Sequence, residues 1–316
     1  APRRALARWI RGVERMRGWI IYHRPVDKND VRSHGCRRFL ESAEKNGVEL
    51  DVVSPEEIDL VVTREDRKGI LLRGKTTSLP DFVLPRTGSA TTYFTLAVIR
   101  HLERLGVTSF NGSHAIEIVK DKLYSQQILA QSNFPVPRTM LGRPPVNLDV
   151  VEAQIRFPVI AKTISGSQGK GVYLCPDRES LNATMEEISA LKHSPNVIFQ
   201  EFIEASYGQD LRVFIIGGRA IGAIRRVAND GSFKANISLG ARAEPYELTP
   251  EAEWLASEVA RLLGLEIAGI DLLFDTDGLK ICEANSSPGF KGIEMAYDID
   301  VPSEIFRFIR VRLGLL

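Results

Sequence analysis

The chain has 316 residues, 44% of them hydrophobic and 26% charged, with 41 Lys and Arg against 40 Asp and Glu. That length is enough for two or three layers around real cores, and the near-balance of charge excludes a whole-surface field for nucleic acid or membrane, leaving a small molecule or a protein as the partner class. The scattered Cys36, Cys175 and Cys282 exclude a disulfide frame and a paired zinc motif and point to a reducing cytoplasm, and no stretch approaches the roughly 20 apolar residues of a membrane span.

Residues 1–15 form a basic N-terminal extension, with Arg3, Arg4, Arg8, Arg11 and Arg15 against the single acid Glu14. Leu6, Trp9, Ile10 and Val13 recur at helical spacing, so the extension reads as a short helix packed on the body or an upstream remnant ending before Met16. A targeting or membrane-touching role is the sharper alternative, and the short length and lack of Ser argue against it. An apolar strand at 19–22 is followed by a helix over 31–45, stopped by Asn46 and Gly47, and a strand at 49–53. Apolar runs at 60–63, 70–73 and 82–84 precede a helix over 91–105. Strands alternating with helices predict a parallel-sheet α/β domain over 16–112.

A helix over 120–131 and the rigid connector Phe134-Pro135-Val136-Pro137 open a central region over 113–199. There a strand at 159–162, a glycine loop at 166–171, a strand at 172–174 and a helix at 180–191 suggest a small mobile lid. The C-terminal domain, 200–316, follows a strand at 197–201 and carries strands at 211–216, 220–226, 269–274 and 279–284 and a helix at 250–263. The chain shows no internal repeat.

Gly166, Ser167, Gln168, Gly169, Lys170 and Gly171 join two strands, and such glycines let backbone N–H groups turn toward phosphate. The loop is not a Walker motif, because Val172 and Tyr173 stand where Lys and Ser or Thr would be needed. Lys162 ends an apolar strand, where a cation calls for an anionic partner or a solvated strand end. Glu283 and Asn285 share one strand face, and a turn over 275–278 sets Asp271 opposite Glu283 to within one residue. Acids in apolar strands are either paired in the core or bound to a hard cation such as magnesium. Ser286, Ser287, Pro288 and Gly289 form a turn able to present N–H groups to a carboxylate. Arg86 follows a parallel strand at its carboxyl end, where ligands gather. Strand alternation turns only one of Arg225 and Arg226 inward. His23, His34, His101, His114 and His193 lack ligand spacing and read as surface residues.

The ordered set Lys122, Lys162, the glycine loop, Gln200-Glu201-Phe202-Ile203, Asp210 with Arg212, Asp271, Glu283 with Asn285, and Ser287-Pro288-Gly289 resembles the ATP-grasp superfamily. Pro85-Arg86-Thr87-Gly88, Asp121-Lys122-Leu123, Gly208-Gln209-Asp210-Leu211-Arg212 and Asn285-Ser286-Ser287-Pro288-Gly289-Phe290 narrow the resemblance to RimK-like α-L-glutamate ligases from about residue 17 onward. It implies an ATP-grasp fold: an N-terminal parallel α/β domain, a small central lid and a C-terminal α+β domain. It implies an ATP-dependent carboxylate–amine ligase that acts through an acyl phosphate on an amino acid and a protein, peptide or small-amine acceptor. Adenine would lie against Gln200, Glu201, Phe202 and Ile203, with Asp210 on the ribose, and Lys122, Lys162 and the loop's Gly166, Ser167, Gly169 and Gly171 on the phosphates.

The same resemblance implies that Asp271, Glu283 and Asn285 hold magnesium, with manganese as an alternative ion. Arg212 and Asn236 would stand near the transferring phosphate, and Arg86, Arg226, Ser287 and Gly289 near a substrate carboxylate, Arg226 serving catalysis as well. For Arg226 a pair with a nearby acid is the competing reading. The chain departs from relatives in having Arg225-Arg226-Val227 for Glu-Arg-Arg and Asn236-Ile237-Ser238-Leu239-Gly240-Ala241 for Asn-Leu-His-Arg-Gly-Gly, losing an arginine that bears on glutamate specificity. A kinase or nucleotide sensor that forms no amide is the alternative function, and homo-oligomerisation is left open.

Overall fold

The computed structural model describes residues 15–315 except 28, 31–32, 65–68, 164–170, 191–195, 230 and 238–239. The basic segment over 1–14 and the loop residues Gly166, Ser167 and Gly169 lie outside the described residues.

In the N-terminal domain, β1 (Met16–Ile21), α1 (His34–Ala43) and β2 (Val48–Val53) come first. A small antiparallel sheet of β3 (Ile58–Leu60), β4 (Ile70–Leu72) and β5 (Lys75–Thr76) precedes β6 (Phe82–Pro85), α2 (Tyr93–Arg104) and β7 (Thr108–Ser109). The main sheet has the order β2-β1-β6-β7 and every pair in it is parallel. The almost unbroken burial of β1 and β6 is what strands covered on both faces require. Gly47 stops the turn after α1 at φ 64°, as expected from its place after Asn46.

The helix expected over 120–131 is α4 (Lys122–Gln131), and a helix that was not expected, α3 (Ser113–Lys120), precedes it. Asp121 between them is extended (φ −89°, ψ 105°), and its Oδ1 accepts from Leu123 N and Tyr124 N at 2.9 and 3.0 Å, capping α4.

The lid sheet contains β8 (Thr139–Gly142), β9 (Val159–Thr163), β10 (Val172–Cys175) and β11 (Val197–Glu201), antiparallel in the order β10-β9-β11-β8. With α5 (Leu148–Ile155) and α6 (Arg178–Ser189) it encloses a core of its own around Val151, Leu181, Ile188, Val197 and Phe199. β11 runs to Glu201 inside this sheet, and α3 and α4 pack in the C-terminal core.

The C-terminal domain contributes β12 (Gln209–Ile216), β13 (Arg219–Val227), β14 (Arg242–Tyr246), α7 (Pro250–Leu262), β15 (Ile267–Asp275), β16 (Gly278–Asn285), α8 (Lys291–Tyr297) and α9 (Val301–Arg312). Its antiparallel sheet has the order β14-β13-β12-β15-β16. One face buries Leu211, Val213, Ile270, Leu272 and Ile281 against α3, α4 and α7. A second core is common to the N- and C-terminal domains, joining Phe39, Phe82 and Phe110 to Phe214, Phe290 and Phe306. Asn111 adds a polar seam: its Nδ2 donates to Ile267 O (2.6 Å) and Ser286 O (2.8 Å), and its Oδ1 accepts from Glu266 N and Ile267 N.

Candidate active site

A cleft of about 1180 Å³ lies between the lid and the two domains that share a core. Its lining includes Arg86, Lys122, Lys162, Gln200, Glu201, Phe202, Ile203, Asp210, Arg212, Arg226, Asn236, Asp271, Glu283, Asn285, Ser287 and Gly289, so it collects every site residue expected from the sequence that the structure describes, except Gly171. Gly171 closes the described side of the glycine loop at φ 69°, where a Cβ would stand 2.2 Å from Thr163 Oγ1, so only glycine fits.

The chemistry is laid out by sheet register. Glu283 on β16 faces Asp271 on β15, and Asp271 faces Arg212 on β12. Asp210, two residues before Arg212 and so on the same face, is opposite Arg226 on β13. Cross-strand neighbours of opposite charge attract, and here they close into a network. Arg212 grips Asp271 with Nε to Oδ1 and Nη2 to Oδ2, both 2.7 Å. Arg226 grips Asp210 with Nε and Nη2, both at 2.5 Å, and its Nη2 also lies 3.0 Å from Asp271 Oδ2.

Burial pushes the Asp271 carboxyl up, but Arg212 and Arg226 together more than offset this and hold it below the usual carboxylate range. For Asp210 burial wins, helped by repulsion from Asp271, and its pKa is raised. Arg226 loses to burial less than the two carboxylates return, so it is held more firmly charged. Arg226 is 3% exposed and its fork meets Asp210 and Asp271, as one part of the competing reading had it, while Arg225, which that reading turned to the cleft, is on the exposed side and bonds Gln209. Asp210, expected on a ribose, gives both oxygens to Arg226.

Arg86 contrasts with these. Its Nη2 donates to Pro288 O at 2.7 Å, and its guanidinium lies over the rings of Phe39 and Phe290 at 5.8 and 5.7 Å. Among the described residues no carboxylate pairs with it. Desolvation lowers its pKa, yet an arginine remains a cation at neutral pH.

At the lid side, Lys162 Nζ donates to Gln200 Oε1 (2.5 Å), and Gln200 Nε2 donates to Thr139 Oγ1 (3.0 Å), so β11 orients the lysine. Lys280 meets Glu201 at 3.3 Å. The oxygen donors expected to hold a cation suit a hard ion. Asn285 Nδ2 leans on Gly269 O (3.3 Å) and Asp271 Oδ2 (3.4 Å), which turns the amide nitrogen toward the strand and leaves Oδ1 for a ligand. Among the described residues no three His, Cys, Asp or Glu side chains gather in a metal geometry, so an ion here would use the two carboxylates and the Asn285 amide, sharing Asp271 with Arg212.

Lys234, His34 and Gln126 also line the cleft, and sequence reasoning missed all three. Burial lowers the pKa of the Lys234 ammonium; no periodicity singles it out. His34, read as a surface residue, is partly buried beside Phe290, and desolvation lowers its pKa despite Glu294 at 3.8 Å. His23, read the same way, lines the cleft too.

Comparison with known proteins fits this arrangement. A family model of the RimK-like ATP-grasp domain matches residues 119–309, and one of the RimK PreATP-grasp domain matches residues 28–116. The chain belongs to the RimK-like ATP-grasp family. Its reaction class is therefore the ATP-dependent formation of a carbon–nitrogen amide bond. A probable α-L-glutamate ligase of Thioalkalivibrio sulfidiphilus is 35% identical over 281 residues, 89% of this chain and 92% of that protein. One from Trichodesmium erythraeum is 34% identical, over 90% of this chain and 95% of its own. Among solved structures, the ATP-grasp ligase PsnB complexed with a phosphomimetic variant of minimal precursor, Mg and ADP aligns with a TM-score of 0.72 at 21% identity, covering 93% of this chain and 98% of its own. The RimK domain protein of Sphaerobacter thermophilus aligns with a TM-score of 0.71 at 20% identity, covering 92% and 98%. These two show the shared ATP-grasp fold. Among the described residues no helix is long and apolar enough to cross a membrane.

Proposed function

We propose that this ligase binds ATP with its base against Gln200 to Ile203 and its phosphates toward Lys122 and Lys162, and joins the carboxylate of one substrate to the amine of another, one of the two being an amino acid. The observation that carries the reading is one cleft lined both by Asp271, Glu283 and Asn285, which share a sheet face, and by a cation, Arg86, that has no acid beside it among the described residues. A partly buried arginine fork without a carboxylate is built for one from outside. Arg86, with Ser287 and Gly289 on the adjoining turn, is the carboxylate anchor, and Arg226 holds the sheet face together.

In this mechanism the substrate carboxylate oxygen attacks the γ-phosphorus of ATP, the bond to the β-phosphate oxygen breaks, and ADP leaves. The amine lone pair then attacks the acyl carbon, the bond to phosphate breaks, and the amine proton is released. Lys122 and Lys162 balance the charge of the phosphates, and Asn236 stands beside the transferring group. Magnesium, or manganese in its place, would be held by Asp271, Glu283 and Asn285 and would neutralise phosphate charge. The amino acids to try begin with glutamate, the substrate in the names of the curated relatives, and extend to other ones because residues 237–241 hold no arginine, a departure from the pattern that the family resemblance implies. A protein or peptide end is the acceptor class of first choice, with small amines next. Three free thiols fit a reducing cytoplasm.

Incubation with ATP, magnesium and paired panels of acids and amines tests this. A ligase releases ADP only with a competent acid and amine together, and hydroxylamine traps the acyl phosphate when the amine is withheld. ADP release with phosphate transferred to a stable product, or nucleotide binding with no turnover for any pair, would replace it with a kinase or a sensor.

A further inference from the structure

Gln126 lies in α4, one helical turn beyond Lys122, and is 7% exposed. Its Nε2 donates to Cys282 O at 3.0 Å and reaches Ile281 O at 3.5 Å. Two carbonyls on that side fix the amide orientation, because a flipped amide would set oxygen against oxygen. The other end, Oε1, is therefore an acceptor. It is buried, borders the cleft, and meets no donor among the described residues. A buried acceptor left unmet is destabilising, so its retention in a ligand cleft calls for a donor that arrives with the ligand.

The surroundings say which donor. Cys282, whose backbone holds Gln126, joins Leu273 on one wall, while Ile160, Val172 and Ile198 of the lid sheet also line the cleft. Apolar surfaces on two sides suit a flat ring, and Lys162 with Gln200 borders the same space. A sugar or phosphate would leave its polar groups unmet against such walls.

We infer that Gln126 is a base-selecting residue whose Oε1 accepts a hydrogen bond from the exocyclic amine of adenine. The inference deepens the proposed binding of ATP and rests on it. A purine with a carbonyl at the same position, as in inosine triphosphate, would bring an acceptor against Oε1 and be repelled, and purine riboside triphosphate, which has neither group, would fall between.

Equilibrium binding of the three triphosphates to the full-length protein, with magnesium, tests it. The wild type should bind ATP about tenfold or more tightly than inosine triphosphate, the scale of one buried hydrogen bond gained against one acceptor opposed. In Gln126→Met, of similar size but without the acceptor, the two affinities should come within about threefold, mainly through weaker ATP binding. A merely structural loss would weaken both nucleotides equally and leave the ratio intact. An unchanged ratio in a folded Gln126→Met protein, or equal affinities in the wild type, overturns the inference while leaving the ligase reading standing. No binding of any triphosphate removes both.

Discussion

The two ends of the cleft use arginine in opposite ways. At the sheet face Arg212 and Arg226 are saturated, each gripping an aspartate by two hydrogen bonds within a lattice set by strand register. At the domain seam Arg86 is partly buried, yet its guanidinium has two aromatic faces and one carbonyl and, among the described residues, no acid. Burying a charge is tolerated only where something compensates it. The paired arginines are compensated within the protein and shape the site, whereas Arg86 is left for a ligand to complete.

Breaking the sheet-face end at its unpaired acid should have the largest effect. Glu283 faces Asp271 without a cationic partner among the described residues, so Glu283→Gln keeps the volume and removes only the charge offered to a cation. Turnover should fall by roughly a thousandfold or more, with little change in melting temperature. Near-normal turnover would remove Glu283 from the cation site.

Arg226→Ala should act instead on the fold. It leaves Asp210 buried without its counter-charge and strips one donor from Asp271, a loss on the order of 3–5 kcal/mol in unfolding free energy measured by denaturant titration. A variant of unaltered stability would show that the pairing does not hold the sheet face together.

Arg86→Lys sharpens the contrast from the other side. Lysine keeps the charge but lacks the planar fork, so the Michaelis constant for the carboxylate substrate should rise by about 2–4 kcal/mol of lost contact, or roughly thirtyfold to a thousandfold, while that for ATP stays put. A shift in ATP alone would relocate the anchor.

The sheet-face end was largely legible in the sequence. Acids in apolar strands around a two-residue turn announce a hairpin; the turn alone would set Asp271 opposite Cys282, and a register shift between Asp271 and Leu272 brings Glu283 there, inside the one-residue margin the sequence left. The Asp210–Arg226 pair was less so, because it depends on the β12–β13 register, which shifts between Phe214 and Ile215. α4 starts within two residues of where the sequence put it, capped by Asp121, whereas α3 before it was not read. β14 escaped notice since Pro245 weakens any strand pattern, and α8 and α9 lie beyond the last segment with a clear period. Gln126 gave no signal, because its role comes from a seam between α4 and β16 that only the tertiary fold creates.

A third group of charges joins the two domains and responds to acid. Arg38 and Lys45, on α1 and in the turn after it, converge on Asp300 at the start of α9, and Arg38 also holds Glu294 of α8. Burial alone would raise the Asp300 carboxyl, but Lys45, Ser303 and Ser42 prevail and lower it from 3.8 to about 2. A depressed carboxylate contributes stability that is complete above its unfolded value and is lost as pH falls through the folded one. The window therefore runs from about pH 4 down to about pH 2. Within it the protein should lose about 1–2 kcal/mol from this group, the smaller figure applying because Lys45 is 60% exposed and solvent screens it. Asp300→Asn should remove that share of the acid sensitivity without touching the pairing at Arg226. Denaturant melts of both proteins across this window measure the difference, and parallel stability curves would show that the domain seam does not depend on the Asp300 charge.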